Sequence, residues 1–170
     1  MTRPDALPLP QLLLLLLLYA SQIHAADTDN WQAALAEDPL TGKSTCLLIS
    51  AERQSYDGQG KTAIQLIYNG QALIARTRSN IDLSYPGVGL QVDNYDPQPI
   101  DRLLGETSVV FDSQPDKIRD QFIQGRRARL ALGFWPTWPK TKTVITEFNL
   151  LGFTRAWQRF QQCQKSGELP

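Results

Sequence analysis

Hydrophobic positions along this chain fall into three regimes: one unbroken apolar run near the start, a long series of short strand-like segments, and helical spacing at the end. The run is Leu12 to Leu18, with Arg3 before it and Tyr19-Ala20 extending it. It reads as the hydrophobic region of a secretory signal, and Ile23-His24-Ala25-Ala26 offers a small-residue cleavage site. Its roughly nine apolar residues fall well short of the roughly 20 that a bilayer-crossing helix needs. The expected organisation is therefore a signal peptide over 1–25 and a single secreted β-rich domain over 26–170.

Residues 27–43 are polar and alanine-containing, and read as a lead-in segment that docks by Trp31. Cys46-Leu47-Leu48-Ile49 suits a strand, and 55–61, with Asp57-Gly58 and Gly60, suits a loop. Strand-like runs at 63–68 and 71–78 flank Asn69-Gly70, which predicts a two-residue hairpin because both turn positions need positive φ. Ile81-Asp82-Leu83 and Val88-Gly89-Leu90-Gln91-Val92 alternate around a Tyr85-Pro86-Gly87 turn and predict half-buried strands. Residues 93–99 are turn-rich, and 107–111 read as another strand. A short helix is expected at 116–124, capped by Ser113 or Asp116, with Ile118, Phe122 and Ile123 on one face and Gly125 ending it.

Two more strands are expected at 127–134 and 144–151. Between them, Trp135-Pro136-Thr137-Trp138-Pro139-Lys140 cannot continue a ladder through its prolines and predicts an exposed hairpin loop or corner. A C-terminal helix at 154–164 carries Ala156, Trp157, Phe160 and Cys163 near helical spacing, with Phe153 just ahead of it. Many short strands, one short internal helix, a C-terminal helix and no βαβ alternation predict a mainly β fold: an antiparallel β-sandwich or barrel-like domain.

Charge sharpens the functional reading. Seventeen basic residues balance seventeen acidic ones, so nothing predicts general attraction to nucleic acid or anionic lipid. Cleavage after Ala25 or Ala26 removes His24, the chain's one histidine. A mature domain without imidazole cannot build a Ser-His-Asp or Cys-His arrangement. Cys46 and Cys163 lack the close spacing of structural zinc ligands, and no glycine-rich phosphate loop is present, so neither a metal nor a nucleotide cofactor is expected. In an oxidising compartment the two cysteines are expected to pair, closing a loop worth roughly 4–5 kcal/mol in chain entropy; the alternative is two separate buried thiols.

Among candidate chemical groups, Asp82, Asp93, Asp96, Asp101 and Glu106 allow a carboxylate pair of the kind glycoside hydrolysis uses, or a solvated loop face. Asp93-Asn94-Tyr95-Asp96 also hints at oxygen ligands for a cation, without the EF-hand spacing. The best interaction candidate is the 135–142 segment, where Trp135 and Trp138 on a proline-stiffened loop stand beside Lys140 and Lys142. The alternative is that one or both rings fold back over the core. Arg127 and Arg129, preceded by Arg126, lead into this loop and share one strand face; Arg76 and Arg78 are expected to do the same, forming a basic stripe if the two strands are neighbours.

The order of motifs resembles the invasion-associated locus B family of secreted bacterial proteins. The residues that carry it are Trp31, Cys46-Leu47-Leu48-Ile49-Ser50, Tyr85-Pro86-Gly87-Val88-Gly89-Leu90-Gln91-Val92-Asp93, Phe122-Ile123-Gln124-Gly125 and Phe148-Asn149-Leu150-Leu151-Gly152-Phe153-Thr154-Arg155-Ala156. The last is the distinctive one. Where family members tend to place a cysteine a few residues after the lead-in tryptophan, this chain has Ala34-Leu35. The resemblance implies a periplasmic or surface-associated β-rich protein linked to host-cell invasion, with no established catalytic residues. The expected function is thus non-enzymatic binding or accessory work against a protein or envelope component. A carboxylate-based hydrolase of envelope polysaccharide and a structural envelope protein are the alternatives.

Overall fold

Ten antiparallel strands in two open sheets, with two helices, make up the computed structural model, which describes residues 30–168. The expected signal segment and His24 lie outside the described residues. The strands are β1 (Trp31–Glu37), β2 (Ser44–Ser50), β3 (Arg53–Tyr56), β4 (Lys61–Tyr68), β5 (Leu73–Thr77), β6 (Gly89–Val92), β7 (Arg102–Leu104), β8 (Ser108–Phe111), β9 (Arg127–Leu132) and β10 (Val144–Asn149). The helices are α1 (Pro115–Gln124) and α2 (Phe153–Ser166). The larger sheet runs β1-β2-β4-β5-β8-β7, with β3 also on β4, and the smaller runs β10-β9-β6. The fold is mainly β, as expected, and neither sheet closes into a barrel.

Both sheets and both helices feed one core. Leu48, Ile64, Leu66, Leu73 and Phe111 from the larger sheet meet Leu90, Leu130, Leu132 and Phe148 from the smaller. Leu47, Ile67, Ile74 and Val110 form a second apolar cluster. Strands with apolar residues on both faces lose the polar alternation of a half-solvated sheet, which is why Leu47-Leu48-Ile49 and Leu66-Ile67-Tyr68 run unbroken.

Residues 31–37 form a strand rather than a mere lead-in, pairing residue for residue with β2. Trp31 does dock by its ring. Its Nε1 donates to the Asn149 carbonyl at 2.9 Å, and its ring meets Phe122 and Phe153 edge-on at centroid distances of 5.6 and 5.0 Å. That triad joins β1, α1 and α2. Cys46 and Cys163 are bonded, with Cα atoms 6.0 Å apart, which fastens α2 to β2.

Several local expectations are corrected. The 55–61 loop shrinks to a turn at 57–60, because β3 and β4 pair on either side of it. β2 and β3 lie along the same edge of β4, and across the break the Ser50 hydroxyl accepts the Leu66 N–H at 2.9 Å in place of a ladder carbonyl. The β4–β5 connection is four residues, not two, since Tyr68 pairs with Leu73. Gly70 has φ 93°, while Asn69 stays out of the positive-φ region and uses its side chain: Oδ1 accepts the N–H groups of Gln71 and Ala72, both at 2.8 Å. Residues 81–83 contribute only a single bridge, Ile81 to Phe134, because the Asp82 carboxylate turns the chain by accepting the Ser84 N–H. β7, a three-residue edge strand, carries no periodic signal. Helix α1 starts at Pro115 with Gln114 as its N-cap residue and no side-chain cap bond, so neither Ser113 nor Asp116 caps it.

Candidate functional site

The β9–β10 hairpin positions the predicted site residues. Ala128, Leu130 and Leu132 of β9 and Thr146 and Phe148 of β10 face inward, while Arg127, Arg129, Ile145, Glu147 and Asn149 face outward. This bears out the common face of Arg127 and Arg129. Arg76 lies on β5 in the other sheet and Arg78 beyond its end, so the two arginine pairs form no common stripe.

At the hairpin's loop end, Trp135 and Trp138 are 63% and 54% exposed; neither ring folds over the core. Lys140 and Lys142 are exposed beside them. Beneath lies a knot of buried and half-buried hydroxyls. The Tyr85 hydroxyl is 3.1 Å from the Phe134 carbonyl, 3.1 Å from Thr137 Oγ1 and 2.8 Å from Thr141 Oγ1. Thr137 Oγ1 itself donates to the Phe134 carbonyl at 2.6 Å. The Trp135 N–H donates to the Asn80 carbonyl, and the Lys140 N–H to that of Thr137. Two glycines make room for this arrangement. A Cβ on Gly133 would stand 2.2 Å from the Tyr85 ring, and one on Gly58 would stand 2.4 Å from Thr137 Cγ2. The tip is therefore a fixed platform presenting two indoles. A shallow cleft of about 320 Å³ between Trp135, Leu103 and Glu106 borders it.

Arg127 and Arg129 do not join that tip. Arg127 pairs with Asn149 at the hairpin's far end, and six strand residues separate the ends by roughly 20 Å. Arg129 donates to Gln91 Oε1 at 2.8 Å. Tyr85 carries in the sequence only the signal of a turn residue; its part beneath the tip comes from the fold, through its hydroxyl contacts to Phe134, Thr137 and Thr141.

Three of the five acidic candidates, Asp82, Asp93 and Asp101, have their carboxylates engaged by main-chain N–H groups. Asp93 accepts the N–H groups of Arg126 and Arg127 at 2.8 and 3.0 Å. Asp101 accepts those of Asp112 and Ser113 at 2.7 and 2.9 Å. Burial pushes the Asp101 carboxyl up, but hydrogen bonds from Ser113 and Asp112 and the Arg102 charge outweigh it and hold it below its ordinary value. That is the reverse of what a general acid requires. Among the described residues, no three His, Cys, Asp or Glu side chains gather as a metal-binding group.

No family model matches this chain, and no curated protein is similar to it in sequence. Its fold is similar to the crystal structure of invasion associated protein B from Bartonella henselae, at a TM-score of 0.52 and 20% identity. The match covers 82% of this chain and 96% of that one. At that identity the likeness is one of fold.

Proposed function

We propose that this chain is a non-enzymatic, exported binding or accessory protein of the invasion-associated locus B type, contacting a protein or envelope component through Trp135 and Trp138. The observation that carries the reading is the exposure of both indoles on a loop already fixed by the Tyr85–Thr137–Thr141 knot. Exposed aromatic anchors held in place lose little freedom on binding, so more of their contact energy remains as affinity. The Cys46–Cys163 bond fits an oxidising, periplasmic compartment. Among the described residues no helix is long and apolar enough to cross a membrane. The fold likeness to invasion associated protein B supports the same class, and the spending of Asp93 and Asp101 on backbone N–H groups weighs against the hydrolase reading.

The test places a photo-crosslinking amino acid at position 138 and, as a control, at Leu35, an exposed site on β1 in the other sheet. Crosslinking in intact cells is expected to give a discrete adduct at 138, absent at 35 and lost in Trp135→Ala. Identical adduct patterns at both positions, or none at 138, refute the tip as the contact surface.

A further inference from the structure

At the end of the β9–β10 hairpin opposite the tryptophans, a cleft of about 540 Å³ opens between Arg53, Arg126, Arg127, Glu147, Asn149 and Leu151. A neighbouring cleft shares Arg126, Arg127 and Glu147 and continues to Arg129, Asn94 and Asp93. Three guanidiniums against one carboxylate give the first cleft a net charge of +2 (3 − 1). Little of that charge is compensated. The one acid partner is Glu147, which stands 4.0 Å from Arg127 with both side chains more than half exposed. Arg53 is half-buried and donates to the neutral Asn30 Oδ1 at 2.6 Å. The Arg126 side chain has no carboxylate within ion-pair reach among the described residues. Asp93 accepts the backbone N–H groups of Arg126 and Arg127, and its negative charge lies in the neighbouring cleft, where Arg129 offsets it.

We infer that this cleft binds a phosphate dianion, free or as the monoester of a sugar. The match is one of charge and shape. A phosphomonoester carries close to two negative charges near neutral pH, where a lone carboxylate would leave half the excess unmet. Guanidinium forks grip its oxygens in pairs. The volume suits a small polar ligand rather than a bare ion alone, and the exposed Leu151 and Asn149 stand at the rim where a carrier sugar would rest. Nothing in this reading depends on the tryptophan tip.

The test titrates the signal-processed protein with glucose 1-phosphate, inorganic phosphate and glucose at low ionic strength, following backbone amide resonances. Saturable shifts at Arg126, Arg127 and Asn149 are expected with both phosphates and not with glucose. Tighter binding of the ester than of inorganic phosphate identifies a carried phosphate; the reverse order identifies the free ion. Arg126→Gln, at an exposed position, is expected to weaken binding roughly tenfold through loss of a charge-assisted pair. Glu147→Gln strengthens it by releasing Arg127. Lys140→Gln, at the other end of the hairpin, leaves it unchanged. Three results overturn the inference: no saturable shift at these amides, equal weakening by Lys140→Gln and Arg126→Gln, or binding that emerges only once Asp27 and Asp29, just ahead of Asn30, are changed to asparagine.

Discussion

The Cys46–Cys163 bond closes a loop spanning 117 positions of sequence, and its removal is the perturbation whose size follows most directly from the fold. Chain entropy assigns such a loop about 4.9 kcal/mol of stabilisation, through restriction of the unfolded chain. Both sulfurs are buried, so reduction removes no packing atom and only moves the two sulfurs from bonded to contact distance, while Cys46→Ala/Cys163→Ala adds a packing loss. At an unfolding entropy of about 2.1 cal/mol/K per residue over roughly 140 residues, each kcal/mol moves Tm by about 3–4 °C, so the bond is worth about 17 °C. The assay is thermal and urea unfolding by circular dichroism with and without reductant. Helix α2 is also held by Phe153, Ala156 and Phe160 in the core, so the reduced protein is expected to stay folded at 25 °C with native helical signal. A Tm change below about 3 °C, equivalent to roughly 1 kcal/mol, refutes the reasoning. It would mean that the reduced unfolded chain already keeps helix and sheet together.

Two further predictions concern the tip and its support. Tyr85→Phe keeps the ring over Gly133 but strips the hydroxyl from three oxygen neighbours, so a loss of about 1–2 kcal/mol is expected, with faster amide exchange at Lys140 and unchanged exchange in β4; unaltered exchange at Lys140 would show that the knot does not hold the loop. Asp57 is held below its ordinary carboxyl value, chiefly by the Ser79 hydroxyl, with the N–H groups of Gln59 and Gly60 adding and burial opposing. A lowered folded-state pKa contributes stability that is present above the unfolded value and is lost as pH falls through the folded one. Asp57→Asn is therefore expected to destabilise the protein at pH 7, and its deficit against the parent should shrink as pH falls below about 4; a deficit constant down to pH 2 would contradict the assignment.

How legible the fold was in the chain depended on whether each signal was local. Cys46-Leu47-Leu48-Ile49, the α2 face and the Gly125 stop announced themselves because burial periodicity and chain termination are written in neighbouring residues. β1 did not, because its alanines become a strand only by pairing with β2. Asn69-Gly70 marked the right place for a turn, yet Asn69 had two ways to serve it, positive φ or a side-chain acceptor, and the latter won once its amide could also reach the buried Asp38. The candidate site was half legible. Prolines placed Trp135 and Trp138 on a loop, but exposure was decided by Tyr85, some fifty residues away in sequence. The arginine cleft was invisible as a unit, since Arg53 meets Arg126 only through the packing of β3 beside β10.

One hairpin thus carries the aromatic platform and the cationic cleft at its opposite ends, and its construction bears on whether they influence each other. Transmission between sites requires an element with two alternative packings. The middle of β9–β10 offers none: Leu130 and Phe148 are sealed in the core, every residue of β9 has a partner across β10, and β6 locks the other side of β9 from Ala128 to Ala131. Each end is also fixed by its own polar contacts, the Tyr85 hydroxyl at one and the Asp93 carboxylate at the other. Two rigid sites on a rigid spacer combine by effective concentration rather than by conformational change. A partner displaying both an apolar surface and a phosphate roughly 20 Å apart would gain avidity, while ligands that fill one end alone leave affinity at the other unaltered.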